Sequence, residues 1–330
     1  MDKITKLENL PLVNKPFVAS SYVLDKELKN AVELALQLNQ PLLLTGEPGT
    51  GKTRLAAYAA HLLSESSNFS EEVLVFNTKT SSRASDLFYS YDALGHFQAS
   101  NIKGLDANEQ KSTGDFVELQ ALGKAIAYTN LDQLKGLSEK LNVEHSGEAK
   151  SYVVLIDEID KAPRDFTNDI LHEIEKLQFQ IKELDNLSIQ SSAHPENRIL
   201  IIMTSNSEKN LPDAFLRRCL FYHIEFPDQA KLKEILKAQV GDFLNSKDDV
   251  LDMIIKSFIN LRSKTPRKKP ATAELVAWAR MLDSISFDPK SMEDVEKKIV
   301  QYVSVLVKTK EDREEVLNKM RIKEQEEQFA

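Results

Sequence analysis

The sequence is poor in cysteine, in basic charge and in long apolar runs, and each shortage excludes a class of protein. Its one cysteine, Cys219, excludes an internal disulfide and indicates a reducing compartment. The formal net charge of −8 argues against a general attraction to nucleic acid or to an anionic membrane. No apolar run reaches the length of a membrane span, and residues 1–15 lack a signal-peptide pattern. These absences predict a cytoplasmic protein.

The length and the hydrophobic pattern predict two domains. A chain of 330 residues can hold one large domain and a smaller one, and its 42% of hydrophobic residues suffices for a core. Strand and helix patterns alternate up to Pro227, and only helical patterns follow. We expect an α/β core over residues 1–227, with insertions in 78–150 and a hairpin near 179–189. Residues 228–330 are expected to form a separate helical domain that ends in a charged helix.

Several elements of the core can be assigned from their periodicity. Residues 25–39 are predicted to form a helix with Asp25 as its N-cap. Further helices are expected over residues 86–100 and 121–129, with a polar loop at 101–114 between them. Short buried strands are predicted at residues 41–45, 73–76, 153–156, 199–204 and 221–226.

The most informative stretch runs from Leu42 to Thr53. An apolar strand is followed by Gly-Glu-Pro-Gly-Thr-Gly-Lys-Thr, in which the glycines, Lys52 and Thr53 have the spacing of a phosphate-binding loop. Glycine lets successive backbone N–H groups turn towards a phosphate, and the helix that follows adds the positive end of its dipole. Lys52 is expected to reach the β- and γ-phosphates, and the Thr53 hydroxyl to hold Mg²⁺. The stretch therefore predicts a nucleotide site.

Two acids follow a second apolar strand, Tyr152 to Ile156. Asp157 and Glu158 stand at the carboxyl end of this strand, where ligands bind in open α/β sheets. We expect Asp157 to bind the Mg²⁺ shell and Glu158 to orient and deprotonate the attacking water. Asp160, on the same turn, is expected to be an ordinary surface acid.

Hydrolysis also requires groups that stabilise charge on the γ-phosphate. Asn206 follows the fourth strand, where its amide could lie between water and phosphate. The alternative is an ordinary asparagine in a turn, which is common. Arg217 and Arg218 precede the fifth strand, and an arginine there suits a finger that reaches a neighbouring subunit's phosphate. By residue type alone, the finger and a pair of surface arginines are equally good interpretations.

Together these motifs resemble those of AAA+ ATPases, and within them the MoxR-type group. The phosphate loop, Leu-Ile-Asp-Glu-Ile-Asp, Thr-Ser-Asn and Leu-Pro-Asp-Ala-Phe-Leu-Arg-Arg-Cys occur in the family's order. Residues 77–89 and 122–125 are similar to that group's extra segment, and the hairpin after Phe179 to its second insertion. The resemblance extends from about Tyr22 to Leu282. It implies a three-layer αβα fold, a parallel sheet of order 5-1-4-3-2, a helical lid and a ring of six subunits.

The resemblance also assigns roles to individual residues. It implies that Asn206 is sensor 1, that Arg218 is the better candidate for the finger, and that ATP and Mg²⁺ are the ligands. The residues expected to surround the nucleotide are Tyr22, Val23, Glu47, Pro48, Gly49, Thr50, Gly51, Lys52, Thr53 and Arg54.

One position departs from the pattern. Many relatives carry a sensor-2 arginine directly after a proline at the start of a lid helix, but Ala271 follows Pro270 here. Either a nearby cation (Arg267, Lys268 or Lys269) replaces it, or lid closure is coupled to ATP more loosely.

Three functions are compatible with these features. The first is an ATP-hydrolysing, chaperone-like ring that remodels a protein partner, for which MoxR-type relatives imply a protein with a von Willebrand factor A domain. The second is a nucleotide-gated scaffold with little hydrolysis, against which Glu158 and Asn206 argue. The third is a nucleic-acid motor, supported only by the basic run 262–269, which a solvated lid loop explains better.

Overall fold

The computed structural model describes residues 13, 16–100, 111–137, 140–141, 147–206 and 211–328. Most of the loop expected at residues 101–114 lies outside these residues. The chain divides into two compact units, which are described separately. The sheet unit comprises residues 24–46 and 52–224. The helical unit comprises the described residues of 13–23, 47–51 and 225–328.

The sheet unit is built on five parallel strands. Its strands, in chain order, are β1 (Leu42–Gly46), β2 (Phe69–Asn77), β3 (Tyr89–Tyr91), β4 (Val117–Leu119), β5 (Ser151–Asp157), β6 (Gln178–Ile181), β7 (Leu187–Gln190), β8 (Ile199–Thr204) and β9 (Leu220–Ile224). The central sheet has the order β2-β5-β8-β1-β9, and each neighbouring pair is parallel. This is the expected order 5-1-4-3-2. Strands β6 and β7 form the expected hairpin.

Helices flank this sheet, and their ends follow from local sequence. They are α1 (Lys26–Leu38), α2 (Lys52–Ser66), α3 (Ala93–Ser100), α4 (Ala121–Thr129), α5 (Leu131–Gly136), α6 (Arg164–Asp169), α7 (Leu171–Lys176) and α8 (Asp213–Leu216). Asp25 caps α1 as expected, because its carboxylate accepts a hydrogen bond from the Leu28 N–H at 2.6 Å. The helix ends at Asn39, whose left-handed conformation turns the chain towards Pro41 and β1.

Burial explains why the central strands are almost entirely apolar. Strands β1, β5 and β8 are buried along nearly their whole length, as expected when helices cover both faces of a parallel sheet. Their apolar side chains therefore alternate between two buried faces. The polar residues at their carboxyl ends, including Asp157 and Thr204, are then carried to one edge of the sheet.

The helix expected over residues 86–100 is wrong in its first half. Residues 84–87 form a 3₁₀ turn, Tyr89–Tyr91 form β3, and only Ala93–Ser100 are α-helical. The reason is a long-range pairing, since Tyr89 lies opposite Leu119 in an antiparallel ladder with β4. Both aromatic residues of β3 suit a strand, and this pairing outweighs the helical periodicity of the segment.

The helical unit has its own core. Its helices are α9 (Gln229–Gln239), α10 (Asp242–Asn245), α11 (Asp248–Ser263), α12 (Thr272–Ser284), α13 (Met292–Gln301), α14 (Val303–Leu306) and α15 (Lys310–Gln328). The largest side chain of this core is Trp278 on α12, the only tryptophan of the chain, which is fully buried. Its indole N–H has no hydrogen-bond partner among the described residues. None of the helices in the described ranges is both long and apolar enough to cross a membrane.

A buried carboxylate holds the loop between α11 and α12 in the helical unit. The side chain of Asp312 is only 1% exposed. It accepts hydrogen bonds from the backbone N–H groups of Lys268, at 2.9 Å, and Arg267, at 3.3 Å, and from the Thr309 hydroxyl at 2.8 Å. Burial alone raises the pKa of Asp312, but these hydrogen bonds outweigh it and hold the pKa below its usual range.

This lowered pKa predicts a pH-dependent contribution to stability. The contribution is present above the unfolded-state pKa of about 4 and is lost as pH falls through the lower folded-state pKa. Asp312→Asn is expected to lower the free energy of unfolding by roughly 1–3 kcal/mol at pH 7, because a buried charged acceptor is lost. Urea titrations at pH 7 and at pH 4 measure the difference, which should shrink at pH 4.

The neighbouring Glu311 supplies a matched control for this prediction. Glu311 makes an exposed ion pair with Arg267 at 3.9 Å, and such pairs contribute little. Glu311→Gln should therefore unfold at nearly the wild-type urea concentration. Equal losses for the two variants would show that net charge, and not the buried hydrogen bonds, sets this part of the stability.

Candidate active site

The expected site residues of the sheet unit lie at the carboxyl ends of three adjacent strands. Gly46 ends β1, Asp157 ends β5 and Thr204 ends β8, which lies between β1 and β5 in the sheet. Because the strands are parallel, these ends share one edge, where ligands bind in sheets of this kind. Lys52 and Thr53 open α2 directly after the phosphate loop.

Two side chains at the start of α2 contact the strand ends. Lys52 is 6% exposed, and its ammonium donates a hydrogen bond to the Gly46 carbonyl at 2.7 Å. The Thr53 hydroxyl donates to the Asp157 carboxylate, at 3.0 Å to Oδ1 and 3.3 Å to Oδ2. Thr53 and Asp157, which are 104 positions apart in the chain, are thus in direct contact at the strand ends.

The donor set fits the expected divalent cation. Thr53 and Asp157 present a hydroxyl and a carboxylate, which are the hard oxygen ligands that Mg²⁺ takes in proteins. Mg²⁺ keeps several waters and the oxygens of its phosphates, so two protein ligands of this kind are sufficient. The adjacent Lys52 ammonium, held at the Gly46 carbonyl, carries the kind of charge that pairs with phosphate oxygens.

Glu158 has an unusual backbone conformation. Its φ is 57°, in the left-handed region that a residue with a Cβ rarely adopts. Its backbone N–H donates to the Thr204 hydroxyl at 2.9 Å. The left-handed residue thus ends the extended course of β5 directly after Asp157. Strained backbone of this kind concentrates at functional sites.

The Glu158 carboxylate pairs with the ammonium of Lys161 on the same turn. This hydrogen bond raises the pKa of Lys161. Lys161 was not among the residues expected at the site. Its spacing of three residues from Glu158 does not by itself reveal the pairing, because the contact depends on the 3₁₀ turn at 159–161 that follows the left-handed Glu158.

Thr204 is a second residue that the motifs did not identify. Its hydroxyl donates to Asp157 Oδ1 and accepts from the Glu158 N–H, and the side chain is 1% exposed. A single buried hydroxyl therefore holds both acids in position. One feature of the sequence could have identified Thr204, because it is a threonine at the end of an otherwise apolar strand. A hydroxyl that is buried there requires a hydrogen-bond partner.

The turn after β8 carries the expected sensor residue. The backbone N–H of Asn206 donates to Asp160 Oδ1 at 3.2 Å, and the Asn206 side chain is exposed. Asp160, expected to be an ordinary surface acid, thus ties the turn after β8 to the turn after β5. The contact joins the backbone of Asn206 to the turn that follows Asp157 and Glu158.

The remaining part of the phosphate loop, residues 47–51, belongs to the helical unit. Gly49 and Gly51 have φ values of +78° and +92°, which favour glycine. A Cβ on Gly49 would lie 2.8 Å from the Ala271 Cβ, and one on Gly51 would lie 3.3 Å from the Tyr22 ring. Only glycine therefore fits at these two positions.

The other expected nucleotide residues are placed as follows. The Thr50 hydroxyl donates to the Glu47 carbonyl at 2.8 Å and closes the first turn of the loop. Pro48 is exposed, and Tyr22 and Val23 are half-buried. Arg54 is exposed on the first turn of α2.

Arg217 and Arg218 are not part of this cluster. They precede β9, at the amino end of the sheet, whereas Gly46 ends β1 at the carboxyl end. The five residues of β1 separate these two ends by about 16 Å. Both arginines are exposed, and the Arg218 guanidinium lies 3.7 Å from the Glu175 carboxylate. Arg218 also donates to the Ala214 carbonyl at 3.4 Å.

A cavity of about 300 Å³ lies beside these arginines. It is bordered by the chain before β1, including Pro41, and by Glu175, Arg218 and Cys219. Burial raises the pKa of Cys219 to about 12, so the thiol stays protonated at neutral pH. The open space leaves the Arg218 guanidinium room to change partners.

Comparison with known proteins identifies the family of the chain. Residues 41–219 match the family model described as AAA domain (dynein-related subfamily). Among curated proteins, none matches the chain significantly. A mutant of Thermotoga maritima RuvB is similar, with 19% identity, a TM-score of 0.45, and coverage of 83% of this chain and 67% of the other. Domain III of the Thermotoga maritima replication initiation protein DnaA is also similar, with 13% identity, a TM-score of 0.44 and coverage of 88% and 97%.

Proposed function

Since the chain belongs to the AAA domain family, in its dynein-related subfamily, and is an ATPase, we propose that it is a ring-forming remodelling machine of the MoxR type. The proposal rests above all on the contact set at the strand ends. Thr53, Asp157, Thr204 and Glu158 are linked by consecutive hydrogen bonds beside the Lys52 ammonium. Such an arrangement binds, orients and activates the groups that phosphoryl transfer needs.

In the proposed mechanism, the start of α2 binds the triphosphate. Lys52 exchanges the Gly46 carbonyl for the β- and γ-phosphate oxygens. Thr53 and Asp157 would hold Mg²⁺, which would supply positive charge to the phosphates when bound. Thr204 keeps Asp157 in place, because its hydroxyl is fixed between Asp157 and the Glu158 backbone.

Glu158 acts as the general base in this mechanism. Its carboxylate leaves Lys161 and accepts a proton from the water that attacks the γ-phosphate. Asn206, which Asp160 fixes beside the acids, orients the same water. The charge that develops on the γ-phosphate is stabilised by Arg218 of a neighbouring subunit, because Arg218 lies at the other end of the sheet from its own phosphate loop.

Sharing of sites between subunits makes a closed ring the natural assembly, and we propose a hexamer. A head-to-tail contact that joins the phosphate-loop edge of one copy to the Arg218 edge of the next closes into a ring. The proposed client is a protein with a von Willebrand factor A domain. Light scattering of the chain with ATP should give six times the monomer mass, and a purified client of this class should stimulate hydrolysis.

The binding step can be tested at Lys52. Lys52→Ala should weaken ATP binding by roughly 30-fold or more, because removal of one partner of a desolvated charge pair costs about 2–5 kcal/mol. Isothermal titration calorimetry with ATP and Mg²⁺ measures this loss. Far-UV circular dichroism shows whether the fold is kept.

Lys29 provides the control for the binding experiment. It is an exposed lysine on α1 that pairs with Glu33 at 3.5 Å, so Lys29→Ala removes the same charge at an unrelated place. Lys29→Ala should bind ATP with wild-type affinity. Wild-type affinity in a folded Lys52→Ala variant would contradict the proposed site.

A further inference from the structure

Arg262, at the end of α11, is the most strongly held cation of the basic run 262–269 in the helical unit. Its side chain is 11% exposed, although the run as a whole was expected to be a solvated loop. The guanidinium donates to the Pro270 carbonyl at 2.7 Å and lies 3.8 Å from the centre of the Phe226 ring. It also pairs with the carboxylate of Glu47 in the phosphate loop.

These three contacts hold the guanidinium in one orientation. The Phe226 ring covers one face, and the two acceptors lie at its edge, which matches the planar fork of arginine. Lysine offers a single point charge and would lose at least one of these contacts. The site therefore specifies an arginine.

Arg262 lies next to a second contact between the loop and α12. Pro270, which accepts from Arg262, is followed by Ala271, the N-cap residue of α12. Ala271 packs so closely on Gly49 that a Cβ there would approach to 2.8 Å. One arginine thus joins Glu47 of the loop to Pro270, the residue before the N-cap of α12.

Two other cations of the run contact α15. The backbone N–H groups of Arg267 and Lys268 bind Asp312, and the exposed Arg267 side chain lies 3.9 Å from the Glu311 carboxylate. Arg262, by contrast, pairs with Glu47 of the phosphate loop. Ala271 at the expected sensor-2 position leaves no charge there.

We propose that Arg262 is a positioning residue that couples the phosphate loop to helix α12. Arg262 contacts Glu47 in the loop and Pro270 before α12. The conformation of residues 47–51 therefore depends on the packing of the first turn of α12, and the reverse also holds. Nucleotide held by the loop then stabilises the helix, and the helix in turn stabilises the nucleotide-binding form of the loop. This inference rests on the proposed nucleotide site, but it requires neither the ring nor the client.

Linkage gives the size of the expected effect. Couplings between two sites in one protein typically change affinity by about 5- to 150-fold, and the change is the same in both directions. Arg262→Gln should therefore raise the Kd for ADP by about this factor. In the wild type, ADP should slow hydrogen exchange of the amides at 275–278 in α12 by a similar factor. The variant should lose this protection.

Variants of both partners separate coupling from simple destabilisation. Glu47→Gln removes the charge pair from the loop side, and the double variant should be no worse than Arg262→Gln alone. Arg262→Lys should recover only part of the affinity. Arg313→Gln, an exposed arginine on α15, controls for net charge and should behave as the wild type.

The measurements are ADP affinity by calorimetry, hydrogen exchange with and without ADP, and the thermal midpoint of each variant. A folded Arg262→Gln variant with wild-type Kd and intact ADP-dependent protection of α12 would overturn the inference. Loss of protection in Arg267→Gln but not in Arg262→Gln would also overturn it. If Arg262→Gln does not fold, a Glu47→Gln variant with wild-type Kd for ADP and intact protection of α12 would overturn the inference. A failure of ring assembly or of client stimulation alone would contradict only the proposed function.

Discussion

Arg218→Ala is expected to bind ATP nearly as well as the wild type and to hydrolyse it about 10³- to 10⁵-fold more slowly. The guanidinium is exposed beside Glu175 and lies at the opposite end of the sheet from the phosphate loop. In the proposed mechanism its charge acts on the transition state in the neighbouring subunit and not on nucleotide binding in its own chain. The loss should therefore fall on kcat and not on affinity.

Mixing experiments test whether the arginine acts on a neighbour. Arg218→Ala retains its phosphate loop, whereas Lys52→Ala retains Arg218, and each variant alone should be inactive. A mixed ring pairs an intact loop with an intact arginine, so activity should reappear on mixing. Wild-type activity per subunit should also rise with protein concentration until the rings are complete.

Arg217→Ala is the comparison for this prediction, because Arg217 is an exposed arginine one position away. Its activity should stay far above that of Arg218→Ala. If the mixture remains inactive and activity per subunit does not depend on concentration, Arg218 is a surface arginine. If Arg217→Ala is the inactive variant, Arg217 is the finger.

Glu158→Gln should bind ATP and lower turnover by roughly 10²- to 10⁴-fold. Glutamine preserves the shape of the side chain but accepts no proton from water. The left-handed turn and the Thr204 contact involve the backbone of Glu158, so the substitution leaves both in place. Stopped-flow release of phosphate and calorimetry with ATP measure turnover and binding separately.

A control for Glu158→Gln lies on the following helix. Asp169, at the end of α6, is exposed, and Asp169→Asn makes the same change of charge away from the strand ends. It should turn over ATP at the wild-type rate. A loss of ATP affinity in Glu158→Gln as large as its loss of turnover would indicate that the carboxylate has a structural role.

The sequence was sufficient to predict the central sheet, because its signals are local. Continuous apolar runs such as Val153 to Ile156 must be buried on both faces, and the phosphate loop marks the end of β1. The parallel order then came from the resemblance. Lys52, Thr53 and Asp157 were predicted for the same reason, since each stands at a fixed place in a motif.

Contacts between distant segments could not be predicted in this way. Tyr89 pairs with Leu119, which is distant in the sequence. Helical or strand periodicity reports only on neighbouring residues and therefore does not reveal this partner. Thr204 has its role because β8 happens to lie beside β5, so that a hydroxyl meets both acids. In the sequence, Arg262 is one of several charges in a basic run. Its contacts with Phe226 and Glu47 become apparent only in the fold.

The burial of Trp278 makes the helical unit visible to fluorescence. Because this is the only tryptophan of the chain, its emission on excitation at the red edge of the protein band reports the environment of α12 and not that of the sheet. Far-UV circular dichroism, by contrast, averages over both units. Urea transitions followed by the two signals should coincide if the units unfold as one cooperative system, and should separate if the helical unit unfolds first.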